Sequence, residues 1–226
     1  KETDLYDQKL AMYKTSASIE ECSMENGRCR AFTPGWQERE NVFLHMEYKY
    51  ILAMLKAGLY DEYYETITRA LIPFLDPNMY GRSTLENSSF IASSVNPNED
   101  IHGRGFVARL SGSTTEMISM WIEMMMGGKV FTYENGQLVL NFEPKIANWL
   151  FDEGEVTFRL LSCCDVTYVN HTGKNTYGED GAKVSKIEIN GEVVSTENKI
   201  TGDMAEAVRD GKVDKIKAVS YTHLRA

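Results

Sequence analysis

The apolar positions of this chain follow two periods, and the change falls near Gly127-Gly128. Before it, apolar residues recur every three to four positions, the spacing of a helix face. Val42 to Ala57 is expected to be a helix with Val42, Phe43, Met46, Tyr50 and Met54 on one side, stopped by Gly58. Tyr60 to Phe74 reads as a second, with Tyr63, Ile67, Leu71 and Ile72 on one face and Pro73 near its end. Met117 to Met126 reads as a third, entered through Ser113-Thr114-Thr115-Glu116, which has the form of a capping box. After Gly128 the pattern alternates. Lys129 to Tyr133 and Gln137 to Asn141 flank a Glu134-Asn135-Gly136 turn, and Lys183 to Ile189 and Glu192 to Val194 flank Asn190-Gly191. Val156 to Leu160 and Asp165 to Val169 alternate like strands as well. Short strands with turn signals at this spacing predict an antiparallel sandwich, so the chain reads as α then β.

Two long segments, Gly27 to Asn41 and Asp76 to Ser111, separate the helices. Both are rich in polar and aromatic residues, as a binding surface would be. The last residues, 219–226, resemble a translated sequencing adapter and are set aside from the fold. With an opening Lys-Glu-Thr that lacks Met, they lead us to expect a gene fragment cut at both ends.

Composition narrows the function. A formal net charge of −9 argues against nucleic acid, which demands clustered Lys and Arg. No apolar run is long enough to span a bilayer. Cys22, Cys29, Cys163 and Cys164 form no Cys-x-x-Cys pair, and His45, His102, His171 and His223 show no metal-ligand spacing. Free thiols in a reducing cytoplasm, with no metal and no cofactor, are therefore expected. Asn87-Ser88-Ser89 and Asn170-His171-Thr172 have the glycosylation pattern, which matters only in a secreted chain.

The stretch Leu110-Ser111-Gly112-Ser113-Thr114 stands ahead of the third helix. A helix start presents unpaired N–H groups and the positive end of the macrodipole. Ser111 adds a hydroxyl and Gly112 a backbone that a ligand can approach, which together make a small anion cradle suited to phosphate. Arg104 and Arg109 could add positive charge, and Trp36 could stack on a sugar, although a structural role is the commoner fate of each. Gly103-x-Gly105 lacks the strand and third glycine of a dinucleotide fingerprint. The methionines of the third helix read as core filling.

Two motifs together carry a resemblance. Pro34-Gly35-Trp36-Gln37-Glu38-Arg39-Glu40-Asn41-Val42-Phe43-Leu44-His45 is similar to a segment of the cellobiose phosphorylase family of inverting glycoside phosphorylases (glycoside hydrolase family 94), and Leu110-Ser111-Gly112-Ser113-Thr114 to its Leu-Thr-Gly-Thr-Ala segment. Ser111 stands 66 residues after His45, close to the family's spacing. The resemblance covers roughly residues 25–195. It implies a fold: residues 1–127 as the terminal helices of an (α/α)6 catalytic barrel, and residues 128–218 as a C-terminal antiparallel β-sandwich.

It also implies a chemistry, the reversible phosphorolysis of a β-glucoside or β-gluco-oligosaccharide to α-glucose 1-phosphate. An inverting hydrolase uses two carboxyl groups. A phosphorylase needs only the acid, because phosphate is itself the nucleophile. Carried across, His45, Ser111 and Gly112 match the family's phosphate-binding histidine, threonine and glycine, while Gln37, Glu38 and Glu86 fall at positions that would face sugar. Phosphate is then a substrate, and a cytoplasmic homodimer is implied for the complete protein.

The chain also departs from the pattern. Gln37 stands for a sugar-recognising lysine, Arg39-Glu40 for Asn-Gly, and Leu44 for a cysteine; the segment 81–90 differs from the cellobiose enzymes as well. These changes point toward the branch acting on β-1,2-linked oligoglucans. The family's general acid lies in an Asp-Trp-Asn-Asp motif upstream of the histidine, and no such motif occurs here. The chain alone is therefore expected to be inactive. The alternatives are a non-catalytic carbohydrate-binding or interaction module, a related (α/α)6-barrel hydrolase, or a bare truncation that aggregates.

Overall fold

The computed structural model describes residues 1–107 and 112–221. The chain divides into two compact units, Lys1–Met120 and Trp121–Ala226, with the division inside a helix. Each unit is described by itself.

The first unit opens with a hairpin of β1 (Tyr6–Asp7) and β2 (Met12–Tyr13), followed by the short helix α1 (Arg28–Ala31). Strand β3 (Val42–Phe43) then runs directly into α2 (Leu44–Lys56), and α3 (Tyr60–Ala70) packs back against it. The buried stripe of α2 is Leu44, Tyr48, Ile51 and Leu55, all fully buried at helical spacing. The expected stripe through Met46 and Tyr50 is corrected: these are 60% and 48% exposed, and Val42 and Phe43 belong to a strand. Gly58 ends α2 as expected. At φ +79° its N–H bonds to the Leu55 carbonyl while the Leu59 N–H bonds to that of Met54, the paired closure that needs a left-handed residue. Tyr63, Ile67, Leu71 and Ile72 are buried as read, and Pro73 sits in a 3-10 turn beyond α3.

The segment 76–107, expected as loop, contains α4 (Pro77–Tyr80), β4 (Phe90–Ile91) and β5 (Gly105–Phe106). Strand β4 pairs antiparallel with both β3 and β5, in rows Phe43–Phe90–Phe106 and Val42–Ile91–Gly105. Strands β3 and β5 therefore run the same way and leave the sheet at the same end. The first leads into α2 and the second toward α5 (Gly112–Met126). Helix α5 begins at Gly112, so Ser113 lies inside it and is buried rather than capping it. Ala108 to Ser111 lie outside the described residues.

The second unit is built from β6 (Phe131–Glu134), β7 (Gln137–Asn141), β8 (Glu155–Leu160), β9 (Cys164–Val169), β10 (Lys183–Ile189), β11 (Glu192–Ser195), β12 (Lys199–Thr201), α6 (Asp203–Arg209) and β13 (Lys215–Tyr221). The Asn135-Gly136 and Asn190-Gly191 pairs that join β6 to β7 and β10 to β11 all have positive φ, the geometry of tight hairpins. One sheet has the order β11-β10-β13-β9-β8 and the other β12-β7-β6, with α6 packed on β7 and β12. Leu140, Phe142, Val166, Tyr168, Ile187 and Ala218 form the core. The Tyr168 hydroxyl donates to the Met125 carbonyl at 2.7 Å, satisfying a terminal carbonyl of α5. Val219 to Tyr221, set aside on sequence, complete β13 against Val184 and Lys186 of β10.

These elements overturn the expected fold class. The described chain is mixed α/β, with six helices, thirteen strands in four small sheets, none closed, and 30% helix; terminal helices of an (α/α)6 barrel followed by a sandwich are not what it forms. Much of the segment between α3 and α5 is spent on turns and two-residue strands rather than barrel helices. The C-terminal sheet is not purely antiparallel either, since β13 pairs parallel with β9 after the α6 crossover. Among the described residues, no helix is long and apolar enough to cross a membrane.

Candidate functional site

The parallel exit of β3 and β5 places two helix starts at one end of a sheet. Strand β3 enters α2 without a linker, so His45 is the second residue of that helix. Phe43, at the N-cap, contributes no side-chain hydrogen bond. Gly112, the first residue of α5, lies against the His45 ring: a Cβ there would overlap Nδ1, Cγ and Cδ2. Only glycine permits that approach. Two residues far apart in sequence are thus in direct contact, with the positive ends of a 13-residue and a 15-residue helix beside them.

One turn into α5, Glu116 Oε1 stands 3.5 Å from His45 Nε2. The His45 side chain is 40% exposed, so solvent reaches it, while that of Glu116 is only 15% exposed. Asn87 braces the two helices. Its Oδ1 accepts from the Tyr48 hydroxyl at 3.2 Å, and its Nδ2 donates to Thr114 Oγ1 at 3.4 Å. The Tyr48 hydroxyl in turn accepts the Ile72 N–H at 3.2 Å. Just beyond β5, Val107 has φ +58°, a strained conformation for a β-branched residue. Its carbonyl is held by the Ser89 N–H and hydroxyl at 2.9 and 3.0 Å.

The remaining expected residues fall as follows. Ser111, like Arg109, lies outside the described residues. Gln37 occupies the tight Trp36–Arg39 turn at φ +52°. Glu38 pairs with Arg28 at 2.6 Å and borders a cleft of 440 Å³, lined also by Thr15, Ile19, Cys29, Phe43 and Met46. The last two flank His45 in sequence. Glu86 is exposed and directs its carboxylate to Arg82 at 3.4 Å. The structure therefore joins His45 to Gly112 and sets Glu38 beside the residues flanking His45; Glu86 pairs with Arg82.

The 34–41 segment is held from beneath. Gly35 at φ +74° lets the Asn96 backbone close against it, and Asn96 Nδ2 donates to the Pro34 carbonyl at 3.1 Å. Trp36 packs edge-on to Phe90 and Phe106, so it belongs to the small sheet's aromatic cluster. Glu40, which stands where the resembled motif has glycine, adopts φ +54° and is buried with Lys14 Nζ at 3.8 Å. Hydrogen bonds from the Arg39 guanidinium, with Arg30 nearby, hold the Glu20 carboxyl below its ordinary range. Gly103 and Gly105 make room for Met79 and the Tyr80 ring, which are packing roles.

Glu47, one turn along α2, is 2% exposed. Its Oε2 accepts the Tyr13 N–H at 2.9 Å while Oε1 is buried without a hydrogen bond. Burial pushes its carboxyl up to about 8, against a smaller lowering by the Tyr13 N–H. Among the described residues no cluster of His, Cys, Asp or Glu has the arrangement to hold a metal ion. The four thiols are unpaired, and burial raises that of Cys164 to about 11. Both sequon asparagines are engaged, Asn87 as above and Asn170 Nδ2 on the Lys174 carbonyl at 2.7 Å.

Sequence reasoning missed Glu116 and Asn87 as parts of this site. Glu116 was legible in one respect: four residues after Gly112, it shares that residue's helix face. No family model matches the chain, and no curated protein matches it either.

Proposed function

We propose that this chain carries the phosphate-binding half of an inverting glycoside phosphorylase. The full reaction converts a β-gluco-oligosaccharide and inorganic phosphate, reversibly, into α-glucose 1-phosphate and a shortened sugar. One observation carries the reading. The His45 ring rests on Gly112 where α2 and α5 both begin, and these are the residues through which the two motifs resemble the phosphorylase family. Two helix N-termini and an imidazole give a dianion fixed donors and a favourable potential without a metal.

In this reading His45 and the Gly112 N–H hold phosphate together with the Ser111 hydroxyl. Glu38, with Gln37, faces the sugar from the neighbouring cleft, and Glu86 acts from the 81–90 segment. A phosphate oxygen attacks the anomeric carbon from the face opposite the leaving group, the glycosidic C–O bond breaks, and an acid donates its proton to the departing oxygen. That acid comes from outside residues 1–226. Positioning of the nucleophile is what this chain contributes. No cofactor is required, and we place the enzyme in the cytoplasm as a homodimer.

The polypeptide that combines this region with its acid should release α-glucose 1-phosphate from β-1,2-linked oligoglucans only when phosphate is supplied. His45→Ala should raise the KM for phosphate at least tenfold and change that for sugar much less. Sugar release without phosphate, or equal effects on both substrates, would remove the reading.

A further inference from the structure

We propose that Glu116 is the positioning residue of this half-site: it holds Nε2 of His45 so that Nδ1 is the nitrogen offered to the anion. The proposal rests on the phosphate reading above. The imidazole is bracketed by one helix turn. Gly112 lies under Nδ1, Cγ and Cδ2, and Glu116 Oε1 stands 3.5 Å from Nε2. Flipping the ring would put a carbon in front of the carboxylate, so the contact selects one orientation of two that otherwise have the same shape. The Glu116 side chain is largely buried, whereas that of His45 is 40% exposed, so the carboxylate belongs to the wall and the ring to the opening.

The chemistry follows from the two nitrogens. With the Nε2 proton directed to Glu116, Nδ1 is beside the first turn of α5. It donates to a phosphate oxygen when the ring carries two protons and accepts from a phosphate hydroxyl when it carries one. With a carboxylate beside the imidazole, the pull on the anion comes from aimed donors and helix ends. It also keeps the nucleophile from being bound as tightly as a bidentate arginine would bind it. Asn87, tied to Tyr48 and Thr114, keeps the turn carrying Gly112 and Glu116 in step with the turn carrying His45.

The test uses the 226-residue chain with inorganic phosphate as the probe. Calorimetry measures affinity, and long-range ¹H–¹⁵N correlation reads the His45 imidazole, assigned by its loss in His45→Ala. Glu116→Ala should weaken phosphate binding about tenfold and change the nitrogen shifts of His45. Glu116→Gln, which keeps an acceptor oxygen facing Nε2, should return affinity to within about threefold of the wild type and restore the shifts. An unchanged imidazole spectrum in Glu116→Ala overturns the proposal, as does tighter phosphate binding, which would make the carboxylate merely repulsive. If the wild-type chain fails to bind phosphate while Glu116→Ala still alters the ring signals, the phosphate reading falls and the ring-holding role stands. If phosphate binds and His45→Ala abolishes it, yet Glu116→Ala has no effect, only the role of Glu116 falls.

Discussion

The two units solve the problem of backbone satisfaction differently. In the second, three- to seven-residue strands pair along ladders, and Glu123 is the one charged residue buried among those described in that unit, paired with Lys145. In the first, strands are two residues long, and side chains do the work of ladders. Asp7 accepts from the backbone of Lys9, Leu10 and Ser94, Glu47 from that of Tyr13, and the Tyr80 hydroxyl bridges Ser88 N–H and the Glu86 carbonyl. Asp7, Arg39, Glu40 and Glu47 are all buried there. Left-handed Val107 and Glu40 stand in this side-chain-pinned backbone, while left-handed residues of the second unit such as Leu161 and Asn190 sit in the turns between its strands. The candidate site lies in the unit built that way.

The largest test of this contrast is the pH dependence of the first unit. The unfolded Glu47 loses its proton near its ordinary value of 4.5, while the folded one keeps it until about 8. Between those values the unfolded state binds fewer protons, so stability falls as pH rises, by about 3 kcal/mol between pH 5.5 and 8.5, and is flat well above the folded value. Urea titrations at pH 5.5 and 8.5 should show that loss, and Glu47→Gln should remove most of it. A wild-type chain equally stable at both would show that Glu47 is not held neutral.

Next in size, Leu140→Ala should cost the second unit about 2–5 kcal/mol, since Leu140 is fully buried in the central strand of its sheet. Native-state hydrogen exchange should show that loss confined to residues 121–221; an equal loss of protection in α2 and α3 would mean that the units do not differ in independence. The smallest effect is expected at Gly191. Its φ of +84° makes Gly191→Ala cost about 1–2 kcal/mol through the turn alone. Exchange at β10 and β11 should quicken without a change at His45.

The same contrast explains what the sequence made legible. Both Asn-Gly hairpins and α3 follow from local signals, because turn chemistry and a single apolar stripe determine them. On α2 two stripes compete, Met46-Tyr50-Met54 and Leu44-Tyr48-Ile51-Leu55, and only packing against α3 chooses between them. Two-residue strands are too short to show a period. Strand β13 alternates plainly through Ile216, Ala218 and Ser220, but setting residues 219–226 aside hid its end. Its parallel pairing with β9 is non-local, and the barrel helices that the resemblance implies give way to short strands and turns that carry no local period. The contact of His45 with Gly112 was legible only through the resemblance, and Glu116 was read as capping its own helix rather than facing another.

The Asn135-Gly136 and Asn190-Gly191 turns carry one more consequence, on the scale of chemical ageing. An asparagine followed by glycine is the pair most open to attack of the next backbone nitrogen on the side-chain amide, because glycine offers no shielding side chain. The resulting ring opens to aspartate or to isoaspartate, adding a negative charge to a chain already at −9. Isoaspartate also inserts a methylene into the backbone of a two-residue turn. The residues that set the register of β6 with β7 and of β10 with β11 are thus also where this chain keeps time.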